Sequence, residues 1–383
     1  MTLAFASHDI AAGAVLTIDL SAVRANYRHI RDRVRPAAAG AVVKANAYGL
    51  GAVRVVTALL KDGCRDFFVA QLSEARELRA HLPSGVALYV LNGLQAGAEA
   101  EAIALGVTPA LNTPQQVAAW AAAGARLGRR LPGALQVDTG MSRLGLSAAE
   151  LTALRAQRTL DDIDVVLLMS HLACADEPLH AANAEQLAAF RAFAADFSGA
   201  RLSLANSGGA LLDASYHNDL ARPGIALYGV HPQTGAPSPL RPVVRLDARV
   251  IQVREIAAGT GVGYGLTFHA AAPTRLATIG VGYADGWPRC LGNRGAAFFN
   301  GIRLPIAGRV SMDSMTLDIS ALPAGTLNPG DSVELIGPHQ SLDDVAGDAG
   351  TIAYEILTSL GQRYARIHRD DDSHPTPHFG RPA

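Results

Sequence analysis

The sequence predicts an α/β chain: a (β/α)8 TIM-type barrel followed by a mainly-β C-terminal domain. Three observations carry that expectation. Between residues 41 and 230, short apolar runs alternate with stretches whose apolar residues recur at a period near 3.6. Eight such runs occur in series, and eight β/α units suggest a closed parallel barrel, with an open doubly wound sheet as the alternative. Beyond the Pro- and Gly-rich stretch "HPQTGAPSPLRP" (231–242), the helical period gives way to strand-like runs separated by turn signals.

The expected barrel strands, in order, are "AVVKAN" from 41, "DFFVA" (66–70), "VALYVL" (86–91), "VTPAL" (107–111), "ALQVDT" (134–139), "IDVVLLMSH" (163–171), "RLSLAN" (201–206) and "GIALYG" (224–229). Amphipathic stretches such as "LSEARELRAHL", "TPQQVAAWAAAG" and "SAAELTALRAQR" lie between them. Ser73 with Glu77, and Thr113 before Pro114, read as helix starts. The early strand "AVLTIDL" (14–20), followed by the helix "SAVRANYRHIRDRV", is surplus to the eight and is expected to pair with the C-terminal sheet. That sheet is expected from "VVRLDARVIQVREI", "RLATIGVGYADG", "IRLPIAGRVSMDSMTLDIS" and "DSVELIG". The expected division is 1–238 for the barrel, 239–368 for the β domain, and 369–383 as a polar, Pro-rich, disordered tail.

Composition narrows the function. The 383 residues carry a formal net charge of −1, are 49% hydrophobic and 17% charged, and so give no electrostatic reason to expect a nucleic acid or an anionic membrane as partner. The three cysteines, Cys64, Cys174 and Cys290, are far apart and form no C-x-x-C pattern. A disulfide framework or zinc site is not expected, and a reducing cytoplasm is. The N-terminal stretch lacks the basic and long apolar regions of a signal peptide, and no apolar run reaches membrane-spanning length.

A barrel collects its functional residues where strands end and loops begin. Lys44 ends the first run, in "AVVKANAYGLGA". A lysine there either reaches water or is used for chemistry, since partial burial lowers its pKa and makes the amine a nucleophile. Arg143 follows the fifth run, His171 ends the sixth, Ser207 follows the seventh, and Arg222 and Gly224 sit at the eighth. The loops "NAYGLG", "NSGG" and "RPG" are of the kind that bind phosphate through backbone N–H groups and a hydroxyl. A strand-end lysine with such loops fits a phosphorylated aldehyde, pyridoxal 5′-phosphate. Each residue alone also has an ordinary structural reading: a solvated lysine, a surface ion pair, a core histidine, a tight turn.

Together "AVVKANAYGLG", "VDTGMSRLG", "NSGG", "RPGIALYG", "GVGYGLTF", "GYADGWPR" and "GRVSMD" resemble the alanine racemases, from about residue 14 to 367. The resemblance implies that Lys44 binds the cofactor covalently and acts as base on one face of the substrate. It implies that Tyr264 is the proton donor and acceptor on the other face. An unperturbed phenol titrates near 10, so cations must help it, and His171 backed by Arg222 are the candidates. Arg222 offers donors only; set against the pyridine nitrogen, it would keep that nitrogen unprotonated and disfavour transamination. Arg143 and the backbone of Met312 would hold the substrate carboxylate, with Asp313 ordering the site. Tyr48, Ser207, Gly224, Ile225 and Tyr354 would hold the phosphate. Tyr264, Tyr283 and Tyr354 would narrow the entrance.

The resemblance further implies a homodimer in which each site is completed by the partner chain. The expected activity is interconversion of L- and D-alanine, supplying D-alanine for peptidoglycan. One departure stands out. Gln136 occupies the place, seven residues before Arg143, where many relatives carry a carbamylated lysine. No carbamate can form on an amide, so a weaker hold on Arg143 and independence from bicarbonate are expected. The rival readings are a decarboxylase on the same fold, against which Arg222 argues, and a non-catalytic pyridoxal-phosphate-binding protein, against which the β domain argues.

Overall fold

The computed structural model describes residues 11–233 and 238–370. They fold as two compact units: one from Ala22 to Arg241, the other from the segments that flank it, up to Ser21 and from Pro242. The first elements are β1 (Ala14–Asp19) and α1 (Leu20–Val34).

The Ala22–Arg241 unit is a ring of parallel strands. These are β2 (Ala38–Ala39), β3 (Ala41–Val42), β4 (Asp66–Val69), β5 (Ala87–Val90), β6 (Thr108–Leu111), β7 (Leu131–Gln136), β8 (Ile163–Met169), β9 (Arg201–Ser203) and β10 (Leu220–Ala221). Strands β3 to β9 pair in sequence order. The ring closes through β10. Its residues Leu220 and Ala221 pair with Ala38 and Ala39 of β2. The amides of Asp219 and Arg222 donate to the carbonyls of Leu202 and Ala205, at 3.0 and 2.8 Å, tying β10 to β9. Strands β2 and β3 are one strand interrupted at Gly40, so the barrel has eight staves.

Between the strands lie α2 (Lys44–Tyr48), which is a left-handed turn, and the helices α3 (Ala52–Lys61), α4 (Leu72–Arg79), α5 (Glu99–Leu105), α6 (Pro114–Arg126), α7 (Ala148–Ala156) and α8 (Ala181–Ala194). Local chemistry sets their starts. Thr113 Oγ1 accepts from the Gln116 amide at 3.2 Å, ahead of Pro114 at the first helical position. Ser147 and Glu150 form a capping box. At the end of the barrel opposite the functional loops, Arg201, which begins β9, donates to both oxygens of Asp66, which begins β4, at 2.7 and 3.2 Å.

Two sequence expectations are corrected in this unit. The eighth stave is Leu220–Ala221, not "GIALYG": Ile225–Tyr228 is a 3₁₀ turn. The strand already ends at Pro223, whose carbonyl takes the Val42 amide at 2.9 Å. The amides that follow turn toward Ser207 instead of a neighbouring strand. Helix α4 starts at Gln71, not Ser73, because it is Glu74 that reaches back to the Gln71 amide at 2.9 Å.

The other unit is mainly β. Its strands are β11 (Val244–Ile256), β12 (Gly261–Val262), β13 (Phe268–His269), β14 (Thr274–Ile279), β15 (Ala296–Phe299), β16 (Ile302–Pro305), β17 (Met315–Asp318) and β18 (Ser332–Ile336). Two helices, α9 (Leu342–Ala349) and α10 (Ala353–Ser359), and β19 (Ala365–Arg369) complete it. The long β11 organises the sheet. Its first half lies antiparallel between β1 and β18, and after a register shift at Val250/Gln252 its second half pairs with β14. The early strand β1 thus sits inside this sheet, between β11 and β19. His368 and Arg369 pair with Ile18 and Asp19. The polar tail therefore begins later than the sequence suggests, and residues 371–383 lie outside the described residues, as do 234–237 of the expected linker. Among the described residues no helix is long and apolar enough to cross a membrane, and no cluster of potential metal ligands occurs.

Candidate active site

Lys44 directly follows Val43, the last barrel residue of its stave. After it the chain takes the opposite hand: Ala45, Asn46, Ala47 and Tyr48 have φ of 53–54°, and Gly49 follows at 85°. L-residues pay roughly 1–2 kcal/mol each for this region. Bonds within the turn offset the cost. Ala47 N donates to Val43 O at 2.9 Å, Gly49 N to Ala45 O at 2.7 Å, and Ala52 N to the Asn46 side chain at 2.7 Å. Such strain persists where the surroundings hold it, and it clusters at functional sites. Burial lowers the Lys44 pKa, the Arg143 guanidinium lowers it further, and Glu74 opposes them. The chain has only two lysines. The other, Lys61, is exposed at the end of α3.

Arg222 is 3% exposed. Its guanidinium donates to Ser203 Oγ and, at 2.5 Å, to the Ser170 carbonyl. Burial pushes it down to about 10, so it stays a cation at neutral pH. It stands 3.5 Å from His171 Nδ1. Burial first, then Arg222, Arg143 and Lys44, push His171 down to about 3. The imidazole is therefore neutral. Arginine can only donate, so Nδ1 faces a donor, and the Asn206 amide nitrogen, also a donor, faces Nε2. Asn206, 3.5 Å from Nε2, is held by Leu172 O at 3.2 Å and the Gly209 amide at 2.9 Å.

Next to this pair lies a small polar cup. Ser207 Oγ accepts from the amides of Gly224 and Ala226 at 2.8 and 3.3 Å, with the Ile225 amide between them. Tyr48 packs its ring 4.6 Å from that of Tyr228. The Tyr48 hydroxyl lies so close to Gly224 that any Cβ at this position would collide with it. Hydroxyls of Tyr48 and Ser207 and successive backbone amides thus surround a position that only glycine leaves open.

The loop carrying Arg143 is folded around Asp138. One carboxylate oxygen accepts from the amides of Gly140, Met141 and Ser142, at 2.9, 3.0 and 3.1 Å. Gln136, buried at the end of β7, donates its amide to the Leu144 carbonyl at 3.3 Å. It thus supports the backbone beside Arg143. Sequence reading missed Gln186 of α8, which is 2% exposed. Its amide nitrogen donates to Thr139 Oγ1 at 3.2 Å and to the His171 carbonyl at 2.9 Å, and its oxygen takes the Ala173 amide at 2.9 Å. It clamps the Arg143 loop to the His171 loop. No sequence signal marks it, since a glutamine on a helix is ordinary. Glu74 was missed as more than a helix residue for the same reason.

The β unit carries the remaining residues. Tyr264 sits on the tight connection between β12 and β13, with glycines at φ 72° and 71° on either side, and is 71% exposed. Met312 is 53% exposed. Its carbonyl takes the Ala284 amide, and Ser311 O takes the Tyr283 amide, each at 3.0 Å. Arg363 fixes both segments: it forks onto Asp285 at 2.7 and 2.8 Å and reaches Asp313 at 2.6 Å. Asp285 also accepts from the Gly282 amide at 2.9 Å. Asp313 is thus an ordering residue for the Met312 loop. Tyr354, on α10, is partly exposed, and its carbonyl accepts from Thr358 Oγ1 at 2.9 Å.

Of the residues singled out in the sequence, Lys44, Tyr48, Arg143, His171, Ser207, Arg222, Gly224 and Ile225 all lie in the Ala22–Arg241 unit, where each stands at or just beyond a strand end. Tyr264, Met312 and Tyr354 belong to the other unit. The barrel set offers a deprotonation-prone amine, a donor-only cation, and a cup of hydroxyls and amides that only glycine leaves open. Those are the groups a phosphorylated pyridine aldehyde requires, and the donor set contains nothing that would oppose its phosphate.

Comparison with known proteins agrees. The model of the alanine racemase N-terminal domain matches residues 18–232, and that of the C-terminal domain matches 243–368. The catabolic alanine racemase of Agrobacterium fabrum is 56% identical over 354 residues, covering 92% of this chain and 91% of the relative. The alanine racemase of Brucella canis is 54% identical, covering 96% and 97%. The crystal structure of alanine racemase from Bartonella henselae, with covalently bound pyridoxal phosphate, superposes with a TM-score of 0.91 at 46% identity, covering 94% of this chain and 100% of that one. Fold and residue set define a pyridoxal-phosphate-dependent isomerase of amino acids. Within that class, the chain belongs to the alanine racemase family.

Proposed function

We propose that the protein interconverts L- and D-alanine by moving the α-proton between two bases, Lys44 and Tyr264, on opposite faces of the substrate. The observation that carries this reading is Lys44 itself: a half-buried amine at a strand end, on a strained turn, with its ammonium form disfavoured first by burial and then by Arg143. Pyridoxal phosphate, bound covalently to an amine, acidifies the α-C–H of an attached amino acid by drawing electrons into its ring. Lys44 would be the attachment point. Tyr48, Ser207, the amides of Gly224 and Ile225, and Tyr354 would hold the phosphate. Arg222, a donor that keeps its proton, would leave the ring nitrogen unprotonated.

Arg143 supplies the charge for the substrate carboxylate, helped by the Met312 backbone. One base takes the α-proton from one face, and the other returns a proton to the opposite face, so substrate and product have the same composition. His171, backed by Arg222, would meet and orient the Tyr264 hydroxyl. Tyr283, Tyr264 and Tyr354 would limit the size of the side chain admitted.

The active form is a homodimer. Its support is that Tyr264, Leu266, Met312 and Ile352 are all more than half exposed in the single chain, an unusual display of large apolar groups. In a two-fold pair each would be offered to the neighbouring subunit's barrel. The product serves peptidoglycan synthesis in the cytoplasm. A second reading, alanine catabolism, is favoured by the printed names of the Agrobacterium and Mesorhizobium relatives. Deleting the gene separates the two: a D-alanine requirement marks the biosynthetic role, and loss of growth on alanine as carbon source marks the catabolic one.

Incubation with L-alanine in D2O tests the activity. Loss of optical rotation with one deuterium at Cα, and no CO2 or pyruvate, is the expected result; CO2 or pyruvate as the main product would overturn it.

A further inference from the structure

We infer that Glu74 is a positioning residue for Lys44: its carboxylate pins the left-handed turn that follows the lysine to the end of the neighbouring strand. The inference rests on the reading of Lys44 as the cofactor-binding base. Glu74 Oε1 accepts from the Ala45 amide, the first after Lys44, at 2.5 Å. Its other oxygen accepts from the amides of Ala70 and Gln71 at 2.7 and 2.9 Å. One carboxylate therefore ties the exit of one stave to the exit of the next.

The turn needs such a tie. Four successive non-glycine residues, Ala45 to Tyr48, stand in the left-handed region, which L-residues adopt at a cost. The Asn46 side chain holds the far end of the turn through Ala52 N. Glu74 holds the near end, next to the amine. A capping glutamate needs only the Gln71 amide to start α4. The bonds to Ala70 and Ala45 lie beyond that role.

The same carboxylate is also the anion that acts on the Lys44 amine. The charged groups acting on that amine are Arg143 and Glu74, and neutral His171 lies within reach of its charge. Removing Glu74 leaves the amine facing the Arg143 cation without that anion. It then loses its proton more readily and, untethered, samples more positions. A helix cap alone would change neither property.

Two readouts on the full-length chain, freed of cofactor, separate these roles. The first is trace acetylation by acetic anhydride across pH, with Lys44 and Lys61 read as separate peptides in one digest and Lys61 as internal reference. The second is amide exchange over residues 44–50 and 72–79. In Glu74→Gln and Glu74→Ala, Lys44 should label on the order of three- to tenfold faster relative to Lys61 at neutral pH, as expected when a nearby opposite charge is removed. Exchange over 44–50 should rise by about tenfold, the scale of one lost hydrogen bond to a charged group, while the C-terminal turn of α4 keeps its protection. The exposed Glu77→Gln on the same helix should match wild type in both. An unchanged Lys44/Lys61 ratio, or exchange that rises only over 72–79, would reduce Glu74 to a helix cap. If Glu74→Ala does not fold, Glu74→Gln decides alone, because its single oxygen cannot replace both carboxylate oxygens. Borohydride trapping of pyridoxal phosphate on wild type checks the underlying reading separately. Label on Lys61 would overturn the role of Lys44 whatever the Glu74 variants show.

Discussion

Replacing Gln186 by leucine removes three hydrogen bonds at once without changing side-chain volume much. The Ala173 amide and the His171 carbonyl lose their partner in a place where Gln186 itself is only 2% exposed. Thr139 Oγ1 keeps its contact with Ser170 Oγ at 2.8 Å, so it is not orphaned. Both bonds are only part-buried, so water can reach the groups left behind and each lost bond costs about 0.5–1.5 kcal/mol, giving about 1–3 kcal/mol for the pair. At about 2–4 °C per kcal/mol for a unit of this size, the melting temperature should fall by roughly 2–12 °C. The catalytic consequence is more specific. With the clamp gone, the loop of Arg143 and the segment of His171 move independently, so KM for alanine should rise and kcat should fall together. Calorimetry and steady-state kinetics in both directions measure this. Gln186→Glu serves as the second variant, because it keeps the acceptor for the Ala173 amide and loses only the donors. A Gln186→Leu protein with wild-type melting temperature and KM would refute the clamp.

Lys44→Ala should abolish covalent attachment of pyridoxal phosphate, read as loss of borohydride-fixed cofactor by mass spectrometry. Adding bicarbonate should leave activity unchanged, because Gln136 forms no carbamate; stimulation would contradict this, and Gln136→Lys should introduce the dependence. His171 is depressed to about 3 in the folded chain against about 6.5 when unfolded. The unfolded state therefore binds more protons between these values, and the stabilisation present above pH 6.5 is lost as pH falls through that window. Denaturant titrations from pH 7 to 4 should show this fall, and His171→Asn should flatten it. Tyr48→Phe should weaken retention of pyridoxal phosphate by roughly tenfold, one hydrogen bond to a charged group, read by dialysis of cofactor from the protein.

The barrel was legible because its period is local. Apolar runs at strand length, divided by capped helices, mark seven of the eight staves within a few residues. The eighth was misplaced for a definite reason. Leu220–Ala221 is too short to register as a run, while "GIALYG" has the apolar content of a strand but is bent into a turn by amides directed at Ser207. The site residues visible in the sequence are those whose type is unusual for their place: a lysine ending an apolar run, a tyrosine between glycines. The residues that hold them are ordinary in sequence. Gln186, Glu74, Ser203 and the Asp285–Arg363 pair gain their meaning from partners between 19 and 78 residues away. The left-handed turn after Lys44 was also invisible, because alanine and tyrosine give no warning of positive φ and one asparagine does not announce four such residues in a row.

The two-base assignment is tested most directly by Tyr264→Phe in D2O, with each enantiomer of alanine supplied separately and both α-deuteration and inversion followed. With Lys44 intact and the phenol gone, one enantiomer should exchange its α-hydrogen for deuterium while keeping its configuration, the other should do neither, and racemisation should fall by roughly 10²–10⁴-fold. Inversion at the wild-type rate, or equal exchange of both enantiomers, would show that Lys44 and Tyr264 do not serve opposite faces.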